Sequence, residues 1–336
     1  MIRLSLRVHP ALAMAACLAG CGGGGGGDST TPDTGGDAVR IAAAQATAAR
    51  NPACAESLLG SFYWEVGDKT GARASGSVGA SPPDANTLMS IASASKWMYA
   101  AYVVQKVGVR ADDVPYLNFT SGYSRFGLPF CPSGGTVADC LDGKDDFDAA
   151  TLGRFAYDGG HMQVHAVRGA GMGLGPLANA ALAAELKAQL GSATWSYSQP
   201  QLAGGVVSSA AAYASFLRRI LNNDLAIGAA LGSHKVCTNP STCSTAANAP
   251  VPETESWNYS LGHWVEDDPR VGDHAYSSAG AFGFYPWIDR SRSWYGVVAR
   301  LAQTEPQAGY HSAQCGRLIR QAWVSGTEAT STVPSP

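Results

Sequence analysis

The chain has 336 residues, 46% hydrophobic and 15% charged, with a formal net charge of −3. That length allows a substantial core, in one large domain or two packed ones. The sequence has no basic excess of the kind a nucleic-acid-binding face requires, so composition gives no reason to expect nucleic acid as a partner.

The first segment, "MIRLSLRVHPALAMAACLAGC", begins with Arg3 and Arg7, continues as a short apolar run and ends Leu18-Ala19-Gly20-Cys21. A run this short reads as a signal peptide over residues 1–20, because a membrane span needs about 20 apolar residues. Its ending resembles a bacterial lipobox, which predicts export, lipidation of Cys21 and a membrane anchor at the cell envelope. Residues 21–38, "CGGGGGGDSTTPDTGGDA", have the composition of a flexible tether.

Residues 39–55 are alanine-rich and helical in character, and "GSFYWEVGDKTGARASGSVG" reads as a β-hairpin with Asp68–Gly71 at its turn. Next, "SIASASKWMYAAYVVQ" (Ser90–Gln105) runs from small polar residues into an apolar helix with Lys96 at the join. Ser93 precedes Lys96 by three residues, which puts both on one helical face. A loop-rich region, 107–150, leads to "AYDGGHMQVHAV". Two helices follow: "GPLANAALAAELKAQLG", closed by Gly191, and "SSAAAYASFLRRILNN", capped by Ser208 or Ser209. "SWNYSLGHWV", "HAYSSAGAFGFYPWIDR" and "SWYGVVARL" read as antiparallel strands, "SAQCGRLIRQAW" as a closing helix, and 326–336 as a polar tail. Strands at both ends of the chain predict that the first and last are neighbours.

Beyond Cys17 and Cys21, six cysteines remain. An even number in an exported chain argues for disulfides, and six cysteines allow 15 pairings. Close spacing favours Cys131–Cys140 and Cys237–Cys243, which leaves Cys54 and Cys315 to join the ends of the domain. His161 and His165 are four apart, but no Glu stands in an H-E-x-x-H position and no third ligand is in view, so no metal is expected.

Ser93-Ala94-Ser95-Lys96 resembles the nucleophile motif of the serine β-lactamase and penicillin-binding-protein superfamily. Four further segments resemble its class C-like branch in the same order. "YLNFTSGY" (Tyr116–Tyr123) is similar to the "LLTHTSGL" segment, and "RFAYDGGHMQVHAV" stands where the branch has Tyr-x-Asn. "LAGGVVSSAAAYASFLRRIL" is similar to a helix start, and "SSAGAFGFYPWID" to the strand carrying the third motif. The resemblance implies an α+β, β-lactamase/transpeptidase-like fold: a five-stranded antiparallel sheet flanked by helices, plus an all-α lobe. It places a hydrolase domain at 39–325, with the α/β part at about 39–90 and 250–325 and the helical lobe at about 91–249. The Lys69-Thr70-Gly71 triplet matches a family motif in letters but precedes the nucleophile, in a turn, and is set aside.

The resemblance assigns Ser93 as nucleophile, Lys96 as base and Tyr157 as the proton-relay phenol, with Tyr197 its rival. The N–H groups of Ser93 and Ala281 would form the oxyanion hole. A serine hydroxyl needs such a base to become a nucleophile, and a desolvated lysine supplies one near neutral pH. Gly159, His161, Ser278, Gly280 and Phe282 are expected at the substrate, and Phe282 or Tyr285 are the first aromatic residues expected to line the cleft. Two positions depart from the family pattern. Gly159 replaces the Asn of Tyr-x-Asn, and Ser278 replaces the cation of the third motif, which removes a charge-assisted contact to a substrate carboxylate. The expectation is therefore a serine hydrolase of small-molecule esters that works without a cofactor. A β-lactamase or D-alanyl-D-alanine carboxypeptidase-type amide hydrolase is the alternative. A non-catalytic envelope lipoprotein binding peptidoglycan or another partner is the competing class.

Overall fold

The computed structural model describes residues 34–126, 131–141 and 146–334. The expected signal peptide, Cys21 and residues 21–33 lie outside them. Helix α1 spans Thr34–Arg50, so it takes in the last residues of the expected tether. Its alanine-rich run favours helix, and Asp37 sits well in the first turn against the helix dipole. The C-terminal segment is not a free tail. Asn51 Nδ2 donates to the carbonyls of Ala329 (2.7 Å) and Ser331 (2.9 Å), and Ala329 N donates to Thr47 Oγ1.

The sheet is antiparallel. Its strands are β1 (Phe62–Asp68), β2 (Ala72–Val78), β3 (Val236–Cys237), β4 (Asn258–Ser260), β5 (His263–Val265), β6 (Tyr276–Ser277), β7 (Tyr285–Ile288) and β8 (Trp294–Ala299). Their order is β2-β1-β8-β7-β6-β5-β4-β3. The expected pairing of first and last strands is present, with Tyr63 opposite Ala299 and Asp68 opposite Trp294. The sheet has eight strands among the described residues rather than five, and it resumes at Val236, before the expected boundary at 250. Strand β3 is two residues long, too short to show an alternating pattern in sequence, whereas β4 and β5 fall within "SWNYSLGHWV", which reads as strand. The Lys-Thr-Gly triplet closes the β1–β2 turn, where Asp68 Oδ1 accepts from Thr70 N and Gly71 N.

Helix α2 (Ser95–Val107) is buried along Ser95–Val104, as befits a central helix that is apolar nearly all round. Helix α3 spans Gly160–Arg168, and α4 (Asn179–Leu190), with Leu182 and Leu186 buried, packs on α2. Helix α5 (Ala210–Leu221) has Ser209 as its N-cap, whose Oγ accepts from Ala212 N. Helix α6 (Ala308–Ser325) closes the fold. Arg218 of α5 reaches Tyr295, whereas Gly316 of α6 lies against Tyr285 and Val298. Residues 295 and 298 point to opposite sides of β8, so α5 and α6 cover opposite faces of the sheet.

Buried charges tie α6 down. Arg320 donates to Glu266 Oε2 (2.8 Å), to Tyr285 OH (2.8 Å) and to both carboxylate oxygens of Asp273. Removing one partner from such a pair leaves an uncompensated buried charge and costs about 3–5 kcal/mol. Disulfides join Cys54–Cys315, Cys131–Cys140 and Cys237–Cys243, the pairings that spacing favours. Cys54–Cys315 spans 261 positions and joins α6 to the turn after α1. Crosslinks closing long loops stabilise by about 2–4 kcal/mol, in the chain-entropy view by restricting the unfolded chain.

Candidate active site

Ser93 lies in a 3₁₀ turn, Ala92–Ala94, that runs directly into α2. Sequence reasoning places Ser93 at the start of the helix itself; the turn presents it one step earlier. Ala92 holds φ at 44°, a left-handed conformation that costs an L-residue of order 1–3 kcal/mol. The turn is pinned from outside. Ile91 N donates to Val206 O, and Ser95 Oγ donates to Ala92 O while accepting from Val206 N. Ser95 is thus consumed structurally, and Ser93 is the hydroxyl that faces the cleft.

Lys96 is 5% exposed. Its Nζ lies 2.9 Å from Ser93 Oγ and 2.9 Å from the carbonyl oxygen of Ala203. The Tyr157 ring centroid is 4.8 Å away and that of Phe119 is 6.0 Å away. Burial lowers the ammonium's pKa to about 7, opposed by the Asp158 carboxylate. Burial instead pushes the Tyr157 phenol up to about 12, partly offset by its hydrogen bond to Ser93. Of the two groups beside the hydroxyl, the amine can therefore be neutral near pH 7, while the phenol keeps its proton. Tyr157 stacks on Trp264 (5.5 Å between centroids), and its N–H donates to Asn248 Oδ1 at 2.9 Å. Tyr197 is buried and does not line the cleft.

The third-motif turn completes the site. Gly280 N donates to Phe284 O, and Gly283 N donates to Gly280 O. A Cβ on Gly280 would stand 2.2 Å from Ile91 O, and one on Gly309 would stand 2.6 Å from Gly280 O. Glycine at both positions lets this turn wedge between the nucleophile turn and the start of α6. Ala281 lines the cleft, and its N–H has no intramolecular acceptor among the described residues.

Other expected contacts fall elsewhere. His161 is fully buried, with Nδ1 against Ser121 Oγ (2.7 Å) and Nε2 against Ala156 O (3.0 Å), so both ring nitrogens are occupied away from the cleft. His165 meets Tyr99 and Asp113 instead, so the two histidines do not converge. Ser278 turns inward and donates to Ser93 O at 3.2 Å. Gly159, Phe282 and Tyr285 do not line the cleft. Gly159 faces Ala203 and Phe126, and Tyr285 is buried against Glu266 and Arg320. Besides Tyr157, the lining aromatic residues are Trp257, Trp264 and Tyr310, beside Ala249, Pro250 and Val251. Trp257 and Trp264 belong to "SWNYSLGHWV", which reads in sequence only as strand. Tyr310 and residues 249–251 carry no motif and escape that reasoning. The cleft encloses about 420 Å³, and no Lys or Arg lines it among the described residues.

An antiparallel sheet covered by helices on both faces, with a Ser-x-x-Lys turn facing a tyrosine and a Gly-rich strand turn, is the β-lactamase/penicillin-binding-protein-like fold. Solved structures match the chain over most of its length. EstCE1, a hydrolase with promiscuous acyltransferase activity, is 12% identical at a TM-score of 0.57, covering 85% of this chain and 99% of that one. The D-amino acid amidase from Ochrobactrum anthropi SV3 is 12% identical at 0.57, covering 78% and 95%. The octameric penicillin-binding protein homologue from Pyrococcus abyssi is 14% identical at 0.55, covering 90% and 79%. No family model matches the chain, and no curated protein matches it. At these identities the likeness is one of fold.

Proposed function

We propose that the protein is a serine hydrolase acting on carboxylic esters through an acyl-enzyme. The observation that carries this reading is the buried Lys96 amine, 2.9 Å from the Ser93 hydroxyl, with a pKa lowered to about 7. Neutral Lys96 takes the Ser93 proton as Oγ bonds to the ester carbonyl carbon. The oxyanion is held by the N–H groups of Ser93 and Ala281, each such donor worth about 2.7–4 kcal/mol in the transition state. The carbonyl–alkoxide bond then breaks, and the leaving oxygen receives a proton relayed through Lys96 and Tyr157. Water attacks the acyl-enzyme with the same groups accepting its proton, which releases the acid and restores Ser93.

The preference for esters rests on what faces the cleft. The position that carries a cation in the family is Ser278, and its hydroxyl is engaged with Ser93 O. Gly159 offers no amide, and the described lining holds no cation to receive a carboxylate. p-Nitrophenyl butyrate is therefore expected to be hydrolysed with kcat/KM at least tenfold above that for a chromogenic anionic cephalosporin. The reverse order, measured side by side on the full chain, would make the β-lactam or peptide reading the better one. The leader, the lipobox-like Cys21 and the disulfides support placing the enzyme at the cell envelope, anchored through Cys21.

The base assignment has a definite sign in pH. Lys96 must be neutral to act, so kcat/KM is expected to rise with pH along a limb centred near 7. The Asp158 carboxylate raises the Lys96 pKa, so Asp158→Asn should move the limb to lower pH. A pH-rate profile in which this limb stays put in the variant, or lies near the ordinary lysine value, would remove Lys96 as the base.

A further inference from the structure

Bonded to two residues of the cleft lining, but not itself part of it, lies a carboxylate for which the hydrolytic mechanism has no use. Glu255 is 8% exposed and accepts three hydrogen bonds. They come from Trp257 Nε1 (2.8 Å), Tyr310 OH (2.6 Å) and Arg317 Nη1 (2.8 Å). The first two donors belong to aromatic residues that line the cleft, one entering β4 and the other in the first turn of α6. Their rings lie 6.4 Å apart. Trp257 in turn meets Trp264 edge-to-face at 5.8 Å, and Trp264 stacks on Tyr157. A continuous aromatic wall thus runs from the reactive phenol to the Glu255 carboxylate. Arg317, 1% exposed, supplies the counter-charge that lets a carboxylate sit there.

We propose that Glu255 is a positioning residue that holds Trp257 and Tyr310 as one rigid wall, making the cleft selective for esters with extended apolar acyl groups. This inference rests on the ester-hydrolase reading above and names its substrate class. Aromatic rings supply a large apolar contact area, but a tryptophan N–H and a tyrosine O–H left without acceptors would turn towards water and open the wall. Glu255 touches no reacting atom, so its effect falls on binding of the long chain. An acetyl group offers such a wall little apolar area to bury.

The test compares p-nitrophenyl acetate with p-nitrophenyl octanoate on the full-length protein, alongside Glu255→Ala and Glu255→Gln. The alanine variant should raise KM for the octanoate at least tenfold with kcat within about threefold, and affect the acetate far less. Glutamine keeps one acceptor oxygen for Trp257 Nε1 and Arg317, and its amide NH2 can donate to the Tyr310 hydroxyl, so it should restore most of the lost octanoate affinity. If the alanine variant lowers both esters equally, or glutamine fails to rescue, the positioning role is wrong. Should the alanine variant not fold, Tyr310→Phe carries the same comparison. It removes one of the three hydrogen bonds while leaving the Glu255–Arg317 pair, and about a threefold rise in octanoate KM is expected; no rise overturns the proposal. Calorimetric binding of the non-hydrolysable p-nitrophenyl octyl ether separates this inference from the activity. A parent that hydrolyses neither ester yet binds the ether at least tenfold more tightly than Glu255→Ala would sink the esterase reading and keep the wall. Equal binding by both would remove the wall.

Discussion

Replacing Ser93 by Ala is expected to lower kcat for p-nitrophenyl butyrate by at least about a thousandfold, because a covalent nucleophile is lost while cleft and oxyanion donors remain. The variant should fold as the parent does, since among the described residues Ser93 Oγ hydrogen-bonds only to Lys96 and Tyr157. A fluorophosphonate should add one adduct to the parent, on the peptide containing Ser93, and none to the variant. Ser95, two residues further on, cannot substitute, because its hydroxyl is held between Ala92 O and Val206 N. Equal turnover by both proteins would place the nucleophile elsewhere. If both are inert and unlabelled, the chain is better read as a binding protein on this fold.

Lys96→Met is expected to cost a similar factor, and for a distinct reason: the serine stays but nothing nearby accepts its proton. The two residues act as one unit, so the double variant should be no worse than the poorer single one. A second readout runs in the opposite direction. Burial holds the Lys96 pKa near 7, below the ordinary lysine value of 10.5. Between those two values the unfolded chain binds more protons than the folded one, so the parent's stability rises with pH across that window. Methionine matches the apolar stem and carries no charge, so Lys96→Met should melt higher than the parent, most clearly at or below pH 7. That advantage should fade as pH climbs towards 10.5. A variant that is inactive and also less stable throughout would mean that Lys96 is a structural residue rather than a buried base held at an energetic cost.

The hairpin at 62–78 and helix α5 are legible because each is written in local periodicity and in turn or cap residues, and the pairing of the terminal strands follows from strands standing at both ends of the chain. The Ser-x-x-Lys spacing likewise announces shared geometry, since one helical turn brings the two side chains together whatever surrounds them. Disulfide pairing followed from spacing because two short loops can only close on themselves with ease, which leaves Cys54 to Cys315.

The surroundings of those residues belong to tertiary structure. Nothing adjacent to His161 in the chain shows that Ser121 and the Ala156 carbonyl occupy both of its nitrogens, and its nearness to Tyr157 in sequence suggested a role at the substrate. Phe282 sits inside the motif and Tyr310 outside any, yet the cleft is lined by Tyr310, because the packing of α6 against Gly280 decides which rings face it. The pKa of Lys96 is a property of the walls around it, Phe119, Tyr157 and Ala203 arriving from three distant segments. By itself the sequence determined which chemistry-bearing groups stand one turn apart and which elements carry them. Burial, electrostatics and cleft shape were decided by long-range packing, since desolvation and ring contacts depend on residues that meet only when the chain has folded.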